Sequence, residues 1–224
     1  MRDSANRAGY EAVLFDMDGV LIRGRATVPE VYANAADEAL AELGVDIPED
    51  ERAVLRQPQF DEAMAECCRT VGLDPEEFWT VREGVASERA NRRIGSEPRT
   101  PYEDTTVLAA LSGPLGVVSN NRTGTVEYVA EELFPGRFGA AVGRDPTLEG
   151  YRRRKPDPHY IERALEQLGA EHALYVGDRE TDLLAARRAG IDGAILRRDH
   201  RQGTLDETPA FDLTGLDELR SVLA

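Results

Sequence analysis

Seven residues of this chain have the types and spacing to do chemistry together. Asp16 and Asp18 stand in Asp16-Met17-Asp18-Gly19-Val20, directly after the apolar run Ala12-Val13-Leu14-Phe15. Ser119 and Asn120 follow Leu115-Gly116-Val117-Val118, and Asp178 follows Ala173-Leu174-Tyr175-Val176-Gly177, with Asp182 four residues on. Lys155 lies in Arg154-Lys155-Pro156-Asp157-Pro158, where the two prolines stiffen the loop that aims it. These residue types suit phosphoryl transfer. A carboxylate can attack phosphorus and form an acyl-phosphate, dividing one hard displacement into two easier ones. A second carboxylic acid can protonate the leaving oxygen and then deprotonate the attacking water. A hydroxyl, backbone amides and an ammonium can hold the phosphoryl oxygens. Carboxylates crowded at one place repel each other unless a cation joins them, and hard oxygen ligands suit Mg²⁺. Each feature alone has a plainer reading: a strand-to-turn junction, a helix cap, a turn, a solvated lysine. The conjunction is what points to chemistry.

The surrounding elements must bring these residues to one place. Short continuous apolar runs bounded by turn residues read as strands buried on both faces, the signature of a parallel sheet. Such runs are predicted over Ala12–Phe15, Leu115–Ser119, Ala140–Gly143, Ala173–Val176 and Ala194–Leu196, with Phe211–Leu213 as an edge strand. Helices are predicted over Thr105–Leu111, Thr125–Leu133, Pro158–Leu168, Thr181–Ala189 and Leu216–Leu223. This alternation predicts an α/β fold with a doubly wound, mostly parallel, Rossmann-like sheet, in which ligands sit at the carboxyl ends of the strands. From Val28 to Ile94 the texture is helical throughout, with Pro48-Glu49-Asp50-Glu51 opening one helix and Asp74 capping another, Glu77 three residues on. The expected organisation is an N-terminal tail over 1–10, an α/β core over 11–24 and 100–224, and a small helical domain over 25–99. Leu21–Arg25 reads as a short hairpin or flap, and Arg152-Arg153-Arg154 as a solvated loop.

With those residues in place, the chain resembles the haloacid dehalogenase superfamily of phosphohydrolases. Asp16-Met17-Asp18-Gly19-Val20 is similar to its first motif, Val118-Ser119-Asn120 to its second, Lys155-Pro156 to its third, and Gly177-Asp178 with Asp182 to its fourth. They occur in family order, and the helical stretch lies where the family inserts a cap after the first motif. The resemblance implies Asp16 as nucleophile and metal ligand, and Asp18 as general acid/base whose backbone carbonyl also binds the metal. It implies Ser119, Asn120 and Lys155 around the phosphoryl group, Asp178 as an acidic ligand, and Asp182 as a ligand through water or a support behind it. The implied activity is a Mg²⁺-dependent phosphatase for a small phosphorylated metabolite, working through an aspartyl-phosphate under a helical lid. A sugar phosphomutase of the same superfamily also fits; a dehalogenase does not need Asp18 or magnesium. A receiver-like phospho-acceptor domain, from another class, would be about half this length and would have no inserted helices. Two positions depart from the motifs: Arg179, where Ser or Thr is common, and Asn121, where a smaller residue is common and the site mouth narrows.

Composition bounds the rest. Lys and Arg number 27 against 42 Asp and Glu, a formal net charge of -15. That argues against general nucleic-acid binding, which needs a basic footprint. Lys155 is the single lysine; the other 26 bases are arginine. Two readings fit an acidic, lysine-poor chain: adaptation to high salt, where counterions screen self-repulsion, or an arginine-favouring codon bias in a merely acidic protein. No apolar run approaches a membrane span, and the first ten residues hold no apolar signal segment. Adjacent Cys67 and Cys68 read as small helical residues in a reducing compartment. The expectation is a cytoplasmic monomer or homodimer.

Overall fold

The structure, a computed structural model, describes residues 9–24, 28–95, 99–198 and 205–224. Six parallel strands form one sheet: β1 (Ala12–Phe15), β2 (Leu115–Arg122), β3 (Ala140–Arg144), β4 (Ala173–Gly177), β5 (Asp192–Leu196) and β6 (Phe211–Leu213). Their order is β3-β2-β1-β4-β5-β6. From β1 the order runs one way through β2 to β3, and from β4 the other way through β5 to β6, so the carboxyl ends of β1 and β4 flank the switch point where such sheets bind ligands. The expected doubly wound α/β sheet is thus the observed one.

The central strands are continuous apolar runs because helices cover both faces. On one side Val13, Phe15, Val117, Leu174 and Val176 pack with Val126 and Val129 of α5 (Thr123–Leu133) and with Leu216 and Leu219 near the C-terminus. On the other, Leu14, Val118 and Tyr175 pack with Ile161 and Ala164 of α7 (His159–Leu168) and Ala185 of α8 (Glu180–Arg188). Gly116 is needed for the closeness of this packing: a Cβ there would lie 2.7 Å from Cδ2 of Leu14.

Between β1 and β2 lie four helices: α1 (Pro29–Glu42), α2 (Glu49–Leu55), α3 (Glu62–Thr70) and α4 (Pro75–Asn91). Leu40, Leu55, Met64, Cys68, Phe78 and Trp79 of these helices are buried together, and Leu148, from beyond β3, joins them. Asp61 and Asp74 cap α3 and α4, each carboxylate accepting a backbone N–H at 2.9 Å, from Met64 and Glu77 respectively. Cys67 and Cys68 are free buried thiols on α3. The chain leaves and re-enters the sheet through paired segments: Ile22 bridges Pro101, and Arg23 N donates to Thr100 O at 2.8 Å. The hairpin or flap expected over Leu21–Arg25 is instead a long-range pairing of Ile22 with the return segment, and Arg25 lies outside the described residues.

Several details differ from the sequence reading. Glu103–Ala110 and Leu216–Glu218 are 3₁₀ helices, the latter followed by one turn, α9 (Leu219–Val222). A short helix, α6 (Leu148–Arg152), was not expected; Thr147 caps it, its hydroxyl accepting Gly150 N at 3.0 Å, so Arg152 ends a helix and only Arg153 and Arg154 continue as turn and loop. Tyr10, assigned to the tail, is anchored by its hydroxyl, which donates to Asp192 at 2.6 Å; residues 1–8 lie outside the described residues. No helix among the described residues is long and apolar enough to cross a membrane.

Candidate active site

The carboxyl ends of β1, β2 and β4 meet at the switch point, and each carries one group of the seven residues. β1 runs into Asp16, buried, and then turns; Gly19, at φ 82°, makes the left-handed step that the turn needs. The turn is closed by Leu21 N and Ile22 N, which donate to Met17 O at 2.9 and 3.0 Å. β4 runs into Asp178, and α8 starts immediately with Asp182 in its first turn. A Cβ on Gly177 would collide with the Asp182 side chain, so the glycine is what lets this carboxylate lie against the strand end.

Lys155 is the hub. Its buried Nζ donates to Asp16 Oδ1 at 2.8 Å, Tyr175 Oη at 2.6 Å and, more weakly, Val118 O at 3.4 Å, and forms an ion pair with Asp182 Oδ1 at 2.6 Å. Asn120 fixes the loop that presents it: Asn120 Oδ1 accepts Lys155 N at 2.8 Å, and Asn120 Nδ2 donates to Lys155 O at 3.4 Å. The Asn120 side chain, expected to touch substrate, is therefore turned to the lysine's own backbone. Tyr175 Oη in turn donates to Val118 O at 2.8 Å. Burial alone would depress the Lys155 pKa; the charges of Asp16 and Asp182 outweigh it and hold it well above the ordinary lysine value.

Asp16, Asp178 and Asp182 each offer a carboxylate oxygen within 4.8 Å of the others, all three residues buried. The Lys155 ammonium and the half-exposed Arg179 guanidinium, 3.6 Å from Asp178 Oδ1, are still outnumbered by the three carboxylates. Burial, with repulsion from Asp16 and Asp178, outweighs the pull of Lys155 and leaves Asp182 raised to about 6. A hard, oxygen-only donor set with excess negative charge fits a divalent cation such as Mg²⁺. Asp182 has little to spare for it: Oδ1 pairs with Lys155, and Oδ2 accepts Arg179 N at 3.0 Å as the cap of α8.

Asp18 stands apart from that cluster. Asn121 Nδ2 donates to Asp18 Oδ2 at 2.5 Å, and Arg99, on the return segment, pairs with Asp18 Oδ1. Arg99 is itself held between the two crossing segments, donating to Gly24 O at 3.2 Å. The Asp18 side chain keeps 18% of its surface open, so a ligand can reach it. Burial raises its pKa more than Arg99 and Asn121 lower it. Ser119 is buried beside it, its hydroxyl accepting from Asn121 Nδ2 at 3.1 Å and Asn121 N at 3.3 Å.

The four motif segments thus converge on one cleft edge. The model of the haloacid dehalogenase-like hydrolase family matches residues 10–190, which spans all of them. The chain belongs to the haloacid dehalogenase-like hydrolases. It is 32% identical to a 5'-nucleotidase of Pseudomonas aeruginosa over 237 aligned residues, taking in 100% of this chain and 99% of that protein. It is 26% identical to a phosphoglycolate phosphatase of Rhodobacter capsulatus, covering 88% of this chain and 89% of the relative. Among solved structures, CbbY of Rhodobacter sphaeroides in complex with phosphate superposes with a TM-score of 0.63 at 22% identity, covering 96% of this chain and 99% of that one. Its phosphatase relatives make this family member a hydrolase of phosphoric monoesters.

Three contacts of the site were not anticipated. Tyr175 reads as one more core aromatic in a buried strand, and nothing in the sequence shows that its hydroxyl aims at Lys155. Arg99 is one of 26 arginines, and only its place on the return linker sets it apart. Asn121 stood out as larger than the motif usually carries; instead of merely narrowing the mouth, it bonds both Asp18 and Ser119.

Proposed function

We propose that this chain is a Mg²⁺-dependent phosphatase of a small phosphorylated metabolite, acting through an aspartyl-phosphate on Asp16. The observation that carries the reading is the Asp16–Lys155–Asp182 ion network at the switch point, with Asp18 held separately at its edge. In the first step an Asp16 oxygen bonds to phosphorus while the ester oxygen leaves and takes a proton from Asp18, whose raised pKa suits a donor. In the second, Asp18 takes a proton from water, the water oxygen bonds to phosphorus, and the acyl-phosphate bond breaks to return Asp16. Lys155 orients Asp16 and offers positive charge to the phosphoryl oxygens, with the Ser119 hydroxyl beside it. Asn120 acts by holding Lys155. Asp16 and Asp178, with Asp182 behind them and the Asp18 backbone carbonyl, would hold Mg²⁺, which neutralises phosphate charge as it approaches an anionic nucleophile.

In this reading α1–α4 are a cap domain over the site, and the paired segments at Ile22 and Pro101 are its hinge. The free thiols suit the cytoplasm, and the acid excess suits work at high ionic strength. All groups of the site come from one chain, so a monomer suffices. Turnover of p-nitrophenyl phosphate with and without Mg²⁺ tests the proposal, with Asp16→Asn as the control. An amide is a poor nucleophile and a weaker ligand, so the variant should lose turnover altogether while keeping its fold by circular dichroism. Near-normal rates in Asp16→Asn would remove Asp16 from the nucleophile's role.

A further inference from the structure

The seam between α4 and the sheet buries a group of charges that phosphoryl transfer does not use. Arg82 and Glu83 lie on α4, while Arg122 closes β2 and Arg144 closes β3. The two strand-end arginines are register partners on neighbouring parallel strands. None of the four residues is more than 4% exposed. Glu83 Oε2 accepts from Arg122 Nε at 2.8 Å and from Arg144 Nη2, and Arg82 Nη2 stands 3.7 Å from Glu83 Oε1. Trp79 and Tyr32 flank the Arg82 guanidinium, with ring centres 4.4 and 5.2 Å away.

Among the described residues, the three guanidiniums share the one carboxylate of Glu83 in a buried place. Burial pulls the Arg82 pKa down to about 10. Arg82 Nε and Arg144 Nη1 are buried with no hydrogen-bond partner among the described residues. A buried donor left unmade costs the full desolvation of that group, and a charged one costs more. An anion entering here would recover both. Guanidinium forks fit carboxylate and phosphate oxygens in pairs, which a point-charge ammonium does not. Glu83 holds Arg122 and Arg144 in place.

The cluster adjoins the candidate phosphoryl site. Arg144 Nε donates to Asn120 O at 3.1 Å, and Asn120 is the residue that clamps Lys155. Asn121, which bonds Asp18, immediately precedes Arg122. At ~3.3 Å of strand per residue, Arg122 lies roughly 10 Å beyond Ser119. We infer that the Arg82–Arg122–Arg144 cluster binds a second anionic group on the substrate, a carboxylate or a phosphate, so that the favoured class is short phosphate monoesters with a negative far end. The inference rests on the phosphatase reading above and names its substrate class.

The test compares kcat/KM for esters that differ only at that far end. 2-Phosphoglycolate is set against 2-hydroxyethyl phosphate, and propane-1,3-diol bisphosphate against 3-hydroxypropyl phosphate, with p-nitrophenyl phosphate as an ester lacking a second anion. The wild type should favour the charged member of at least one pair by about tenfold or more, mainly through KM, as one recovered charge-assisted pair predicts. Which pair shows the larger ratio tells carboxylate from phosphate. Arg82→Met should cut that ratio to about threefold or less, through the loss of one such contact. Where that variant does not fold by circular dichroism, Arg82→Lys, which keeps the charge and loses the fork, should lower the ratio in the same direction. Hydrolysis of p-nitrophenyl phosphate with equal kcat/KM across both pairs would overturn the inference and leave the phosphatase reading intact. A preference unchanged in the folded Arg82 variant would take the anion away from this cluster. No turnover of any ester would overturn both readings.

Discussion

Lys155 carries four contacts within 3.4 Å, and their directions are set by β1, β2, β4 and the first turn of α8. A compact ammonium can sit among two carboxylates, a phenol and a carbonyl as a point charge; a planar guanidinium cannot reproduce those approaches. In a chain whose other bases are all arginine, retention of a lysine here has a structural reason. Lys155→Arg should therefore keep the charge and fold and lose about 10²-fold or more in kcat with small phosphate esters, the scale of losing one preorganised donor. Steady-state kinetics alongside melting would check it; a variant within a few-fold of wild type would show that charge alone suffices. Tyr175→Phe removes one of the lysine's acceptors and the shorter of the two hydrogen bonds to Val118 O. It should cost about 1–3 kcal/mol of stability and lower kcat by less than the arginine variant, read as Tm and kcat on the same preparation. Asp16, Asp18, Ser119 and Asp178 were legible because polar residues after apolar runs need an explanation, Lys155 by the prolines that flank it, and Asp182 by its spacing of four from Asp178. Tyr175 was not, because its ring satisfies the strand pattern and only the three-dimensional packing aims its hydroxyl. The Asn120 side chain was legible as part of the site but not as the clamp on Lys155, since the two are 35 residues apart.

At the scale of elements, the sheet followed from its buried runs, and the errors fall where local pattern and tertiary pairing diverge. β2 was expected to stop at Ser119 and runs to Arg122, because past an irregularity Arg122 pairs again with Arg144 of β3. That extension is invisible in a polar stretch such as Ser119-Asn120-Asn121-Arg122. The closing segment keeps an apolar helical stripe, but its first turn tightens to 3₁₀. The contact between α4 and the sheet was beyond sequence reading altogether, since Glu83 looks like any surface glutamate. Arg122, Arg144 and Arg82 together outweigh its burial and hold its pKa below the ordinary 4.5. A carboxylate depressed in the folded state contributes stability above its unfolded pKa and loses it as pH falls through the folded one. Glu83→Gln should thus destabilise by about 3–5 kcal/mol near neutrality, the range for removing one partner of a buried pair. Melting curves against pH should show a constant gap to wild type down to about pH 4.5, closing progressively below it. A gap that stays constant into stronger acid would show that Glu83 matters for shape and not for charge.

For the whole molecule, the governing quantity is the formal net charge of -15. Self-repulsion of that size destabilises the compact state, and added salt screens it. Ion pairs act in the opposite direction, since screening weakens them too. The exposed ones, such as Arg69 with Glu62 and Arg153 with Glu149, contribute little because water and salt screen them. The buried pairs of Glu83 and Lys155 are screened far less. Repulsion therefore dominates the salt response, and Tm should rise from low to molar KCl. Salts also strengthen apolar burial, as uncharged osmolytes do, so a parallel series in sucrose measures that share. A second control removes the charge itself. Near pH 4.7, the pI of the sequence, net repulsion vanishes and the KCl-dependent gain should shrink toward the sucrose-like part. A Tm that is flat in KCl at neutral pH, or a gain as large at pH 4.7 as at pH 7, would leave codon bias as the account of the arginines and chance as the account of the acids.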